Sequence, residues 1–254
     1  MIGTLIGAFI TASGILLSAD TSVSDPTTGK TLTVQRKLEV TGRLSGAAIN
    51  GQFQWSGDVS ANFLRVFREV SKNLRTSTRV SVREQAARFA VALKAEAEGK
   101  ARPGIHRYLP NGELLTVTIA GFDDGQPNVV SFNIVLDISR SSNTAVRFAV
   151  VDERIYPPAC WWLGGKNAVA LGLIRDDTQL PPDIRQDPAV LAVRTLEAGH
   201  CDTLTDAQAR AFFRVAVDAT VAHGPRFGIR NGEVGTGIDV LSITPFGAAI
   251  ERLR

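Results

Sequence analysis

Cysteine is nearly absent: the 254 residues hold only Cys160 and Cys201. Two thiols allow one disulfide at most, which excludes a disulfide-stapled scaffold and any four-thiolate zinc site, and makes a reducing cytoplasm the default compartment. Histidine is as scarce. His106, His200 and His223 are scattered, and their spacing with the two cysteines fits no metal motif, so neither a metal nor another cofactor is expected. No glycine-rich phosphate loop occurs. The net charge of +3, from 28 basic against 25 acidic residues, is spread without a basic block or interleaved aromatics, so nucleic acid is not an expected partner. No linker divides the chain, and residues 1–254 read as one domain.

Charge is also missing from residues 1–19, where no ionisable side chain precedes Asp20. Hydropathy alone would mark this stretch as a signal peptide or a membrane span. A signal wants a basic n-region, yet the first basic residue is Lys30; a span wants about 20 apolar residues, yet three glycines and Thr4, Thr11 and Ser13 interrupt this one. The preferred reading is a buried hairpin, with Thr4 to Ile10 as one strand, Thr11-Ala12-Ser13-Gly14 as the turn, and Ile15 to Ala19 as the other. Continuous apolar runs suit strands covered on both faces, and no membrane partner is then needed.

Beyond Asp20 the chain alternates strands with helices in blocks. Leu32 to Val34, Leu38 to Val40 and Ala47 to Phe53 read as strands. After Gly57-Asp58, Phe63, Val66, Phe67, Val70 and Leu74 recur at helical spacing. Ser81 and Glu84 suggest a capping box for a second helix that ends at Gly99. Leu114 to Phe122 and Val129 to Asp137 form a hairpin turned by Asp123-Asp124-Gly125, and Ala145 to Val151 comes next as a strand. Asn167 to Ile174 and Pro188 to Leu196 read as helices, Thr205 with Gln208 caps a longer one, and Ile238 to Thr244 is the last strand. The pattern predicts an α+β fold: two antiparallel sheets in a sandwich, with helices outside.

That order, together with several local sequences, resembles the proteasome β-subunit family and its bacterial heat-shock-locus peptidase relatives. Gly14 to Asp20 is similar to the family's second strand and its acidic end, and Arg36-Lys37-Leu38-Glu39-Val40 to the strand bearing its lysine. Gly51 and Gly57-Asp58 resemble the glycines before its first helix; Thr116 to Gly125 resembles its central hairpin, and Gly237 to Thr244 its closing strand. The resemblance implies a four-layer α-β-β-α sandwich and an N-terminal-nucleophile hydrolase without a cofactor. It further implies a threonine exposed by self-cleavage between Gly3 and Thr4, with residues 1–3 as a short propeptide. Asp20, Lys37 and Gly51 lie 16, 33 and 47 residues after Thr4, so four catalytic roles fall on Thr4, Asp20, Lys37 and Gly51. By family position Val23, Glu39 and Ile49 would border the substrate side chain. The implied partners are unfolded polypeptide, a homo-oligomeric ring and an ATPase regulator.

The chemistry of those roles can be argued from the residues. A threonine hydroxyl needs a base within hydrogen-bond reach, and a freed α-amine, with a pKa of about 7.7–8.0, is substantially neutral near physiological pH. A buried Lys37 would favour the neutral amine and stabilise developing negative charge, Asp20 would hold Lys37 charged and oriented, and Gly51 would offer its backbone N–H to an oxyanion. Two supporting elements depart from the family. Trp161-Trp162-Leu163-Gly164-Gly165 lacks the serine expected there, and in Gly232 to Gly237 the residues Glu233 and Thr236 have the chemistry but not the spacing. The alternative expectation is therefore a catalytically inactive proteasome-like structural subunit or binding module.

Overall fold

The computed structural model describes residues 4–24, 31–51, 62–77, 80–101, 112–141, 146–156, 159–197 and 199–253. The uncharged N-terminal run forms the hairpin: strand β1 (Leu5–Thr11) pairs antiparallel with β2 (Gly14–Asp20), from Ile6 opposite Ala19 to Thr11 opposite Gly14. Every residue of β1 is buried, because both faces are covered. Ile6, Ala8, Ile10, Ile15, Leu17 and Ala19 pack into a layer between two sheets, whereas Leu5, Phe9 and Leu16 pack toward helices. This double burial explains an apolar run with no polar alternation. No described helix is long and apolar enough to cross a membrane.

Next come β3 (Ser22–Ser24) and β4 (Thr31–Val34), a two-stranded ribbon, and then the hairpin of β5 (Leu38–Gly42) with β6 (Ser45–Gly51). Helices α1 (Phe63–Thr76) and α2 (Val82–Lys100) precede the long hairpin of β7 (Glu113–Asp123) with β8 (Gln126–Leu136), and β9 (Phe148–Tyr156) completes that sheet. The remaining elements are β10 (Trp161–Gly165), α3 (Ala168–Ile174), α4 (Pro182–Arg185), α5 (Pro188–Arg194), α6 (Asp206–His223), β11 (Ile238–Thr244) and β12 (Gly247–Leu253). One sheet runs β10-β1-β2-β11-β12 and the other β5-β6-β7-β8-β9, each antiparallel throughout.

Three cores define four layers. Phe63, Phe67, Phe89 and Leu93 of α1 and α2 pack on Ala47, Ile49, Val117 and Phe132 of the second sheet. Val169, Val190, Phe212 and Phe213 of the other helices pack on Leu5, Phe9 and Val240 of the first. Between the sheets lie the inward residues of β1 and β2 together with Leu38, Ala48, Ala120 and Leu241. The α-β-β-α sandwich expected from the sequence is the observed architecture.

Local chemistry accounts for the element ends. Thr205 Oγ1 accepts the N–H of Gln208 at 3.2 Å while Gln208 Oε1 accepts that of Thr205 at 2.9 Å, a complete capping box. At Ser81 only one half of the expected box forms, the Glu84 N–H donating to Ser81 Oγ at 3.2 Å. The structure adds three strands that periodicity does not suggest, the first being the short β3 in what reads as a polar loop. β10 is locally turn-like, being five residues of tryptophan, leucine and glycine at a sheet edge, and β12 has only partly buried or exposed residues. The helix expected from Gly57-Asp58 starts at Phe63, capped by Asn62; residues 52–61, with the end of the Ala47 to Phe53 strand, lie outside the described residues. His106 also lies outside them, while His200 and His223 sit at helix ends.

The two cysteines form a disulfide, Cys160 to Cys201, with Cα atoms 5.1 Å apart. Both are buried, and the bond ties the residue before β10 to the turn leading into α6.

Candidate active site

Antiparallel hairpins bring a strand's first residues beside its partner's last. Thr4, directly before β1, therefore lies beside Asp20, the last residue of β2; likewise Lys37, directly before β5, lies beside the end of β6, where the Ile49 N–H donates to Lys37 O at 3.0 Å. The two hairpins belong to different sheets, and these ends meet where the sheets face each other. Three residues separated by up to 33 positions thus share one point.

Lys37 Nζ donates to Thr4 Oγ1 at 2.6 Å and to Ser22 O, and stands 3.5 Å from both oxygens of Asp20. Asp20 is held independently by backbone: Oδ1 accepts the N–H of Leu5 at 2.9 Å, and Oδ2 those of Ser22 at 3.0 Å and Gly235 at 3.2 Å. Thr4, Asp20 and Lys37 are each 0% exposed. Burial pushes the Asp20 carboxyl above its ordinary value, opposed by the Lys37 charge and the three backbone donors. Burial pushes the Lys37 amine below its ordinary value, opposed by Asp20 and, more weakly, by Asp239. A lysine so placed can give up or take back a proton more readily than one in water, and it points its hydrogen at a hydroxyl.

Gly51 ends β6 opposite Leu115 at φ +119°, where a Cβ would lie 2.4 Å from Leu114 O. Packing against β7 thus already demands glycine here, a reason separate from access to an oxyanion. Of the residues expected to border substrate, Ile49 is wholly buried against α1 and α2, on the face of β6 away from the inter-sheet layer. Glu39 is engaged by Arg75 at 2.9 Å and Arg68 at 3.7 Å. Val23 of β3 pairs through its backbone with Thr33 of β4, and its side chain lies outside the described atoms. The geometry brings Thr4, Asp20 and Lys37 together, and it turns Ile49 toward the helices.

Sequence reasoning missed Lys166 and Asn50, while Glu233 stood out for its chemistry but not its spacing. The Lys166 N–H donates to Thr4 O at 2.8 Å, and Lys166 Nζ pairs with the buried Glu233 at 3.1 Å. Glu233 also accepts the Arg230 N–H at 2.9 Å, so the loop whose Gly235 holds Asp20 is pinned to the strand end that holds Thr4. Gly165, at φ +73°, leaves room for Thr4 O and for the Asn50 carboxamide, since a Cβ there would fall 2.0 Å from the one and 2.6 Å from Asn50 Nδ2. The Gly164-Gly165 pair and the Asn50-Gly51 pair were the available signals. Among the described residues no group of three or more metal-ligating side chains gathers.

Two facing five-stranded antiparallel sheets, helices on both outer faces and a threonine at the inter-sheet end of the first strand define a proteasome-like sandwich. The chain is similar in structure to Anbu from Hyphomicrobium sp. strain MC1, solved as a Gly-1 mutant. The TM-score is 0.56 with 13% sequence identity, over 98% of this chain and 87% of that one. Likeness at that identity concerns the fold. No protein-family profile matches the chain, and no curated protein does.

Proposed function

We propose that this protein is a threonine-type N-terminal-nucleophile peptidase that cuts itself between Gly3 and Thr4 and then hydrolyses peptide bonds in unfolded polypeptide. The observation that carries the reading is the 2.6 Å hydrogen bond from a fully buried lysine to the Thr4 hydroxyl, with Asp20 behind that lysine. A structural lysine is seldom buried to deliver its charge to a threonine at the start of a strand. Once the leader is gone, the Thr4 α-amine takes the hydroxyl proton as Oγ1 attacks a carbonyl. The Lys37 ammonium offsets the charge that develops, and Asp20 keeps the ammonium aimed. The Gly51 N–H is a donor for the oxyanion, and Val23 and Glu39 are the family-position neighbours of the substrate side chain, whereas Ile49 packs under α1 and α2. An acyl-enzyme ester forms and water releases it.

The fold similarity supports this reading through architecture alone. Assembly into a homo-oligomeric ring and service to an ATPase regulator belong to the same proposal and are tested by sizing chromatography. As to compartment, the cytoplasmic expectation rested on the scarcity of cysteine; the Cys160–Cys201 bond favours an oxidising one.

Intact mass is the direct test. Purified protein loses Met-Ile-Gly, and Thr4→Ala does not; the processed form then turns over a fluorogenic peptide. Full-length mass under all conditions refutes the peptidase and selects the second reading, a proteasome-like module without hydrolysis. That reading draws on one observation: the glycines that end β10, and Lys166 after them, stand beside Thr4 where the family has a serine hydroxyl.

A further inference from the structure

Asn50 is a polar side chain near Thr4 that the roles above leave unused. Along β6, Ala47 and Ile49 face the helices and Ala48 faces the other sheet, so Asn50 points like Ala48 into the inter-sheet layer. It is 4% exposed. Its carboxamide reaches the space that Gly165 vacates, where a single added carbon would touch both Asn50 Nδ2, at 2.6 Å, and Thr4 O, at 2.0 Å. Yet among the described residues the carboxamide makes no side-chain hydrogen bond, while Thr116, opposite it on β7, is satisfied by Glu113 and Asn133 at 2.7 Å each. The polar atoms of Asn50 are not fully enclosed, so a carboxamide with no side-chain partner among the described residues stands open to one from outside and calls for an explanation. At the edge of a nucleophile's site, the explanation with chemical content is a ligand oxygen.

We infer that Asn50 is a catalytic residue, its carboxamide donating to the carbonyl oxygen under attack by Thr4 and forming an oxyanion hole together with the neighbouring Gly51 N–H. The inference rests on the peptidase reading and adds to it a donor that the spacing of Thr4, Asp20, Lys37 and Gly51 does not supply. In the reaction, Thr4 Oγ1 forms a bond to the substrate carbonyl carbon, the carbonyl π pair moves onto oxygen, and the hydroxyl proton passes to the Thr4 α-amine. Collapse of the tetrahedral species returns that pair, breaks the C–N bond and sends the proton to the leaving amine. Asn50 exchanges no proton in either step. Its N–H meets full negative charge only in between, so it acts on kcat more than on KM.

The test compares wild type, Asn50→Ala and the near-isosteric Asn50→Asp, which turns the donor into an acceptor. Leader loss is timed by intact mass; peptide turnover is then measured on the processed fraction. That fraction is also treated with a peptide vinyl sulfone, which adds Thr4 Oγ1 to a carbon–carbon double bond and forms no tetrahedral oxyanion. Removal of one such donor lowers kcat about 100-fold and slows leader loss by a similar factor, with KM changed less than about twofold. Vinyl sulfone labelling stays within about threefold of wild type, because the nucleophile is intact. Unchanged kcat in both variants, or equal losses in turnover and labelling, overturns the role of Asn50 and leaves the peptidase standing. A wild-type chain that neither sheds its leader nor takes the label overturns both.

Discussion

Replacing both cysteines, Cys160→Ser with Cys201→Ser, removes the bond between the edge of the first sheet and the turn before α6. The covalent loop spans 41 residues. Chain-entropy arguments place the stabilisation for a loop of that length between the values for about 15 and about 100 residues, at about 4 kcal/mol. The sites are buried, and the Ile10 N–H is donated to Cys160 O at 2.8 Å, so the native geometry survives the exchange and the loss is felt mainly through the unfolded chain. Urea unfolding monitored by circular dichroism should show a midpoint lowered by more than about 1 M with little change in slope per residue exposed. Because the Lys166 N–H at the end of β10 holds Thr4 O, the double variant should process its leader more slowly at temperatures well below its melting point. Thiol titration of the unfolded wild type, finding no free cysteine without reductant, is the accompanying check. A stability loss under about 1 kcal/mol, or two free thiols in protein from an oxidising host, refutes the reasoning.

Other expectations concern the buried charges and the crowded glycine. Lys37→Met leaves Asp20 without its cation and should cost about 3–5 kcal/mol while abolishing leader loss, read by thermal unfolding and by mass. The two groups pull stability with pH in opposite directions. Lys37, held below its ordinary 10.5, contributes stability in full above that value and loses it as pH falls through its depressed pKa; Asp20, held above 3.8, contributes below that value and loses it as pH rises through its raised pKa. Wild-type stability should therefore climb toward pH 10.5 by an increment that Lys37→Met lacks, measured by denaturant midpoints across the alkaline range. Gly165→Ala, which meets Thr4 O and Asn50, should cost well over the roughly 1–2 kcal/mol of a left-handed alanine and stop processing. Gly228→Ala, at φ +74° with nothing within 4 Å, should cost only that backbone penalty and leave processing intact.

The layer architecture was legible because its elements announce themselves. The β7–β8 hairpin has an Asp-Asp-Gly turn that places Asp124 at φ +50° and Gly125 at φ +79°, and the helix stripe through Phe63, Val66, Phe67 and Leu74 is the buried face of α1. The N-terminal run could be separated from a membrane span because its glycines and hydroxyls fit a hairpin, and the hairpin is what forms. Edge elements were the ones missed. β12 alternates too weakly to stand out, with Ala248, Ile250 and Leu253 only half covered, and β10 owes its extended form to pairing with β1 rather than to its own residues. Partners distant in the chain decide such strands, so local propensity carries little of the information.

The same division runs through the site. Thr4, Asp20 and Lys37 are grouped in the sequence only through the family resemblance and its spacing; the structure supplies the physical reason, since each stands at a strand terminus and antiparallel pairing converts position at a terminus into spatial position with little freedom. Ile49 shows the limit of positional reasoning: one step along a strand reverses the face, so Ile49 enters the helix-facing core while Asn50 turns toward Gly165 and the Thr4 carbonyl. Gly235, Glu233 and Lys166 are further from any rule, since they reach Asp20 and Thr4 from a loop and a strand end that join the site only after both sheets have closed on each other. The residues that hold the carboxylate and the strand end are therefore the ones a linear reading finds last. They are also where this chain departs from the pattern of the family it resembles: the ion pair of Lys166 with Glu233 stands at a junction where that pattern has serine hydroxyls, so here the start of β1 is tied to the Gly235 loop by charge rather than by a hydroxyl.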